Sequence, residues 1–206
     1  LIAYDQFVLP IKSDKHAYKS GNGPKLSVSD SGNNITVSSP KVMFSFDKQK
    51  GIVTSYQVDG IEYFNESFGI QPNFWRGPTD NDYGNGAPKR LQIWKESSKN
   101  FKVSDATVKM NGDVASLSVV YKLAAGNNYM IDYKIYPSGV VNASVKFTST
   151  TAEEGRAELT AEAKEATQSD NGDSDRRRRE AAKLEVPRIG VRFRLPQQMN
   201  QVQYLG

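Results

Sequence analysis

An antiparallel β-sandwich, all-β apart from one short helix, is the fold this 206-residue sequence predicts, and three observations predict it. Apolar residues alternate along Tyr129, Ile131, Tyr133 and Ile135, and again along Val141, Ala143, Val145 and Phe147. That is the period-2 signature of strands with one buried face. Short β-rich runs are separated by closely spaced turn signals. The composition of 10 Tyr, 9 Phe, 16 Gly and 9 Pro favours strands and turns over a helical bundle.

Taken in order, Tyr4 to Leu9 reads as a strand ending at Pro10. Residues 11–34, rich in Ser, Lys, Gly and Asn, read as a linker or long surface loop before a sandwich that begins at Ile35. Four runs follow: Ile35 to Val37, Val42 to Phe46, Ile52 to Val58 and Ile61 to Phe64. Asp59-Gly60 between the last two is a two-residue hairpin signal, because type I′ turns need positive φ at both central positions. Phe68 to Gly84 reads as a Gly- and Pro-interrupted loop. Pro88 to Ser97 reads as one short helix, with Pro at its start and Leu91 and Trp94 on one face. Strands resume at Phe101 to Met110, Ala115 to Leu123, Asn128 to Tyr136 and Val140 to Thr148. Asn111-Gly112-Asp113 and Pro137-Ser138-Gly139 are their turns. Residues 150–184 read as an inserted arm with a poorly ordered tip around 168–179, since that tip offers no aromatic or β-branched side chain to bury. Pro187 to Leu195 reads as a last strand.

Composition narrows the chemistry. There is no Cys, so disulfides, thiolate metal sites and a cysteine nucleophile are excluded. One His, His16, argues against a multi-His metal site or a Ser-His-Asp triad. The net charge of +4 is matched by the single tract Arg176 to Arg179, preceded by acidic Asp170 to Asp175, so a nucleic-acid surface is not expected. No apolar run is long enough for a membrane span. The opening Leu1-Ile2-Ala3-Tyr4 and the closing strand-like Gln201 to Gly206 lead to the expectation of a piece of a longer protein.

The densest polar cluster is Arg76-Gly77-Pro78-Thr79-Asp80-Asn81-Asp82-Tyr83-Gly84. Asp80, Asn81 and Asp82 offer oxygen ligands to a cation, hydrogen bonds to sugar hydroxyls, or Asx-turns within a loop braced by Arg76. Two acids on one loop are poorly placed to flank a glycosidic bond, so no acid and nucleophile are assigned among them and no metal site is assigned. Trp75, with Phe74, Tyr83 and Trp94, offers either a stacking platform for a sugar or core packing. Trp75 is expected to be largely buried. Arg76 is expected to hold Asp80 or Asp82 in a buried pair whose loss is strongly destabilising.

The run Pro72-Asn73-Phe74-Trp75-Arg76-Gly77-Pro78-Thr79-Asp80-Asn81-Asp82 resembles the FWRAPTDND signature of bacterial β-galactosidases of glycoside hydrolase family 2, with Gly77 where Ala is common. The segment from Phe46 to Gly60 is similar to the stretch before that signature. Arg90 to Trp94 resembles the helix after it, and Pro187-Arg188-Ile189-Gly190 the family's PRIG motif. The resemblance covers most of 35–150 and 186–206, and Leu1 to Pro10 resembles the last strand of a preceding immunoglobulin-like domain.

The resemblance implies a galactose-mutarotase-like sandwich, here truncated, from the C-terminal small-chain domain of a retaining β-galactosidase. It implies that both catalytic glutamates lie in a TIM barrel outside this chain, so the chain alone is inactive. It implies that the barrel, other domains and the galactoside are the partners. No cofactor is expected in this segment, and the family's Mg and Na belong to another domain. Asp80, Asn81, Asp82, Tyr83, Gly84 and Asn85 become candidate substrate-binding or active-site-loop residues, with Trp75 and Arg76 as structural support. Gly84 to Pro88 resembles a mobile loop at an active-site mouth, for which Gly84 and Gly86 suit a hinge. A bacterial compartment is implied, periplasm or cytoplasm being left open. The competing reading is an autonomous carbohydrate-binding sandwich using Trp75 and Tyr83.

Overall fold

The computed structural model describes residues 23–123, 126–148 and 185–200. The first sheet is a five-stranded antiparallel meander: β1 (Ser27–Ser31), β2 (Asn34–Ser38), β3 (Val42–Asp47), β4 (Ile52–Val58) and β5 (Ile61–Glu62). Its order follows the sequence because each connection is a short turn. Asp59 and Gly60 both take positive φ between β4 and β5, as the Asp-Gly signal requires. The inner face carries Ile35, Val37, Val42, Phe44, Phe46 and Val53, all fully buried. Pairing slips by one residue between Ser45 and Phe46, leaving Thr54 as a bulge whose Oγ1 donates to the Ser45 carbonyl.

Past β5 the chain makes a 3-10 turn at Asn65–Ser67 and the short strand β6 (Gln71–Asn73). Three helical turns follow: α1 (Asp80–Gly84), α2 (Ala87–Arg90) and α3 (Gln92–Ser97). The second sheet is a four-stranded meander of β7 (Lys102–Asn111), β8 (Val114–Lys122), β9 (Asn128–Ile135) and β10 (Val141–Thr148). Its inner face is Ala115, Leu117, Val119 and Tyr121 against Tyr129, Ile131, Tyr133 and Ile135. β11 (Gly190–Arg192) pairs with β6.

The two meanders share one core. Phe44 of the first packs on Tyr133 of the second, ring centroids 5.5 Å apart. Tyr56 Oη donates to the Gly139 carbonyl at 2.5 Å. Gly51 lies against Val103, Phe101 and Tyr121. The all-β sandwich is therefore the fold, and among the described residues no helix is long and apolar enough to cross a membrane.

Several boundaries differ from expectation. Ser27–Ser31 is a strand, not linker, because Ser27 to Ser31 pair in register with Ser38 to Asn34 and Leu26 is buried in the core. Backbone pairing overrides its polar side chains. The Phe68 to Gly84 loop contains β6 and α1. The single expected helix is broken into α2 and α3, since Leu91 leaves helical geometry at φ −101°, ψ 18°. The last strand shrinks to Gly190–Arg192, the length its partner β6 offers. Tyr4 to Leu9, His16, the 150–184 arm and the Arg176 to Arg179 tract lie outside the described residues.

Candidate functional site

The site is built where β6 ends. An extended chain sends successive side chains to opposite faces, so Phe74 and Trp75 must part. Phe74 enters the core: it is fully buried and packs on Trp94, Tyr129 and Phe147 at 5.7, 5.0 and 6.2 Å. Its amide donates to Ser98 Oγ at 2.8 Å, and Ser98 Oγ donates to the Trp94 carbonyl, which ties α3 to the signature segment. Trp75 takes the other side, where it is partly buried and packs against the margin of the core, close to the expectation of a largely buried ring. Lys95 Nζ stands 5.8 Å from its ring centroid. Asn73 Nδ2 donates to the Trp75 carbonyl and holds the turn.

Arg76 then folds back over the Gly77-Pro78 bend. Its Nη1 donates to Asp82 Oδ2 at 2.6 Å and its Nη2 to Asp82 Oδ1 at 2.9 Å, the fork geometry that a carboxylate fits best. The amide and hydroxyl of Thr79 donate to the same Oδ2 at 2.7 and 2.9 Å. These bonds place Asp82 in the first turn of α1, where a carboxylate satisfies free amides and the helix dipole. Hydrogen bonds from Arg76, then from Thr79, hold the Asp82 carboxyl down at about 2. The bracing expectation is met by Asp82 and not by Asp80. The pair is not buried, however: the Arg76 side chain is 42 % exposed.

The other candidates diverge. Asp80 and Asn81 are exposed, and among the described residues their side chains have no hydrogen-bond partner. Tyr83 is 65 % exposed. Gly84 ends α1, and Asn85 Oδ1 accepts from the Ala87 amide at 2.9 Å, opening α2. Gly86 between them takes φ 71°, the left-handed conformation that favours glycine. The stretch 84–88 is thus a tight junction between two helical turns.

Trp75, Arg76, Pro78, Asp82, Asn85, Pro88, Leu91 and the segment Glu185–Pro187 line a cleft of about 250 Å³. Glu185 is drawn in by Arg90, whose two terminal nitrogens both donate to its carboxylate. Tyr83 is not among the lining residues, so Trp75 and Tyr83 do not form one platform. The sequence reading missed the Arg90–Glu185 wall: the partners are 95 residues apart, and nothing local marks Glu185. Chemically, the cleft offers an indole face and polar groups already engaged with one another. The hydrogen bonds from Arg76 and Thr79 hold the Asp82 carboxyl low, the opposite of what a general acid needs.

Comparison with known proteins agrees with this segment. The model of the family described as beta galactosidase small chain matches residues 38–206. A β-galactosidase of Priestia megaterium is 36 % identical over 141 residues, 67 % of this chain and 13 % of that protein. A β-galactosidase of Clostridium acetobutylicum is 28 % identical over 148 residues, 71 % of this chain and 16 % of that protein. A β-galactosidase small subunit of Latilactobacillus sakei is 30 % identical over 80 residues, 39 % of this chain and 24 % of that protein. The matched region is thus a minor part of each relative's length.

Proposed function

The chain belongs to the beta galactosidase small chain family, and from that premise we propose that it is a non-catalytic segment of a larger, retaining β-galactosidase of glycoside hydrolase family 2. The observation that carries the proposal is the family match over 38–206, set beside relatives of which it covers 13 % and 16 %. The acid and nucleophile of the reaction belong, in this reading, to a barrel elsewhere in the polypeptide. Asp82 does not suit the acid's role, since the acid of a glycosidase needs a raised pKa and Asp82 has a lowered one. In this reading the metal sites of the parent enzyme lie in another domain.

The role of this segment is positional. The Arg76–Asp82–Thr79 brace fixes α1, and the junction at 84–88 carries Asn85 at the cleft rim, where it supports the galactoside pocket of the whole enzyme. The test uses nitrophenyl β-galactoside. The full-length protein is expected to turn it over, and the isolated chain is not. Turnover by the isolated chain that is lost in Asp80→Ala would overturn the reading.

A further inference from the structure

Away from the cleft, the segment from Ile189 to Leu195 gathers features that the proposed role does not use. Arg192 and Arg194 alternate onto one side of the chain, and Phe68 lies beneath both. The guanidinium carbon of Arg194 is 4.6 Å from the ring centroid and that of Arg192 is 5.5 Å away. Arg192 Nη2 donates to Gln71 Oε1 at 3.2 Å and to the Ser98 carbonyl at 2.9 Å, so its head is fixed. Its Nε is buried without a partner among the described residues. Burial, and then the charge of Arg194, disfavour its protonated form. Among the described residues only Glu66 answers the two cations: it stands 3.5 Å from Arg194 Nη1 and is 74 % exposed at its side chain.

The ring is held there at a cost. Glu66 and Ser67 both take left-handed φ, at 52° and 57°, a conformation that non-glycine residues avoid. Backbone bonds from the Asn65 amide to the Arg194 carbonyl, and from the Arg194 amide to the Phe68 carbonyl, clamp this turn against the arginine segment. In the same segment Ile189, Phe193 and Leu195 are large, apolar and exposed, Phe193 also meeting the Phe64 ring at 6.1 Å. The second edge of β11 pairs with no described strand.

A π face attracts each guanidinium but leaves both charges in place, and like charges side by side repel. The exposed fork of Arg194 fits a carboxylate in two-point fashion, and Arg192, whose Nη2 is taken by Gln71 and Ser98 and whose Nε is buried, adds its positive charge beside it. Exposed Phe and Leu beside it, with a strand edge unpaired among the described residues, suit a protein surface rather than a free anion, and Arg with aromatic residues is the composition of interface centres.

We infer that Arg192 and Arg194, mounted on Phe68, form a seam that receives carboxylate side chains from the remainder of the same polypeptide. The inference rests on the reading that this chain is one segment of a longer β-galactosidase.

The test places a lysine in the seam of the full-length protein. Arg194→Lys, and separately Arg192→Lys, are treated with a carbodiimide, which joins an amine to a touching carboxylate, and the products are mapped by mass spectrometry. A link to an Asp or Glu outside this chain, from either variant, is the expected result. In parallel, amides 190–195 should exchange at least about tenfold more slowly in the full-length protein than in the isolated chain, and Arg194→Glu should abolish the difference. Links confined to Glu66, or to a second copy of the molecule, would overturn the seam, as would equal exchange in both forms. The expected link in a full-length protein that turns over no galactoside would keep the seam and sink the proposed function.

Discussion

The guanidinium of Arg76 meets the carboxylate of Asp82 edge to edge, through two parallel hydrogen bonds of 2.6 and 2.9 Å that span the Gly77-Pro78 bend. One side chain thereby sets the entry angle of α1 and, through it, the position of Asn85. Because the pair is solvent-facing, its removal costs less than breaking a buried ion pair. Arg76→Ala is expected to lower the Tm of the chain only modestly, and Arg76→Lys to recover part of the loss, since Lys cannot reproduce the fork. Thermal melts of the two variants with full recovery in Lys would show that charge alone matters there.

Acid dependence follows from the same pair. Asp82 ionises at about 2 in the folded protein, against roughly 3.9 in an unfolded chain. The folded state favours the carboxylate, so this contribution is complete above the unfolded value and is lost as pH falls towards 2. Asp82→Asn should flatten that portion of a stability curve measured between those limits. Identical acid dependence in variant and wild type would remove Asp82 from the account.

Phe74 and Trp75 should separate cleanly by mutation. Phe74 is fully buried against three aromatic rings, so Phe74→Ala should cost about 3–5 kcal/mol in denaturant unfolding. Trp75→Ala removes a partly buried cleft wall at the margin of the core and should cost less. The reverse order would mean that the two faces of this segment are misassigned.

Glu62 anchors the short β4–β5 hairpin. Burial raises its pKa, but hydrogen bonds from Ser55, the amides of Tyr56 and Phe64, and Gln57 outweigh it and leave the carboxyl lowered. Its contribution is therefore present above the unfolded carboxylate value and lost as pH falls through the lowered folded one. Glu62→Gln is expected to destabilise the chain at neutral pH and to narrow the gap from wild type in acid. A gap that stays constant with pH would contradict this.

Asn85 gives a prediction at the level of the whole enzyme. Its Oδ1 bond to the Ala87 amide is a local capping contact, so Asn85→Ala should cost the chain alone no more than about 0.5–2 kcal/mol. In the full-length protein the same change should alter kcat or KM for a galactoside. Unchanged kinetics would separate the 84–88 junction from the galactoside pocket.

How much of this was legible in the sequence depended on whether the deciding partner was near. Tyr129, Ile131, Tyr133 and Ile135 alternate in sequence and are all buried, because a central strand with one inner face leaves no other solution. Val103, Ala106 and Val108 break strict alternation yet are all partly buried and packed on the core, because a bulge at Ser104 resets the phase of β7. No residue there announces it. Polar Ser27–Ser31 gave no strand signal, since its pairing is fixed by β2. Arg76 and Asp82, six residues apart across a Gly-Pro bend, were within reach of local reasoning. Arg192 and Gln71, 121 residues apart, were not.

The hydrogen bond from Tyr56 to the Gly139 carbonyl bears on the order in which the molecule assembles. Within each meander every pairing joins neighbouring strands through a short turn, so little loop entropy opposes zippering from hairpin to hairpin. Bringing the two meanders face to face is the long-range step. Tyr56 and Gly139 are 83 residues apart, and Gly139 takes φ 96° where an added Cβ would come within 2.7 Å of Val58. Glycine at this position keeps the corner of the second meander thin enough to nest against the first. A side chain there would leave both meanders able to zip and hinder their docking.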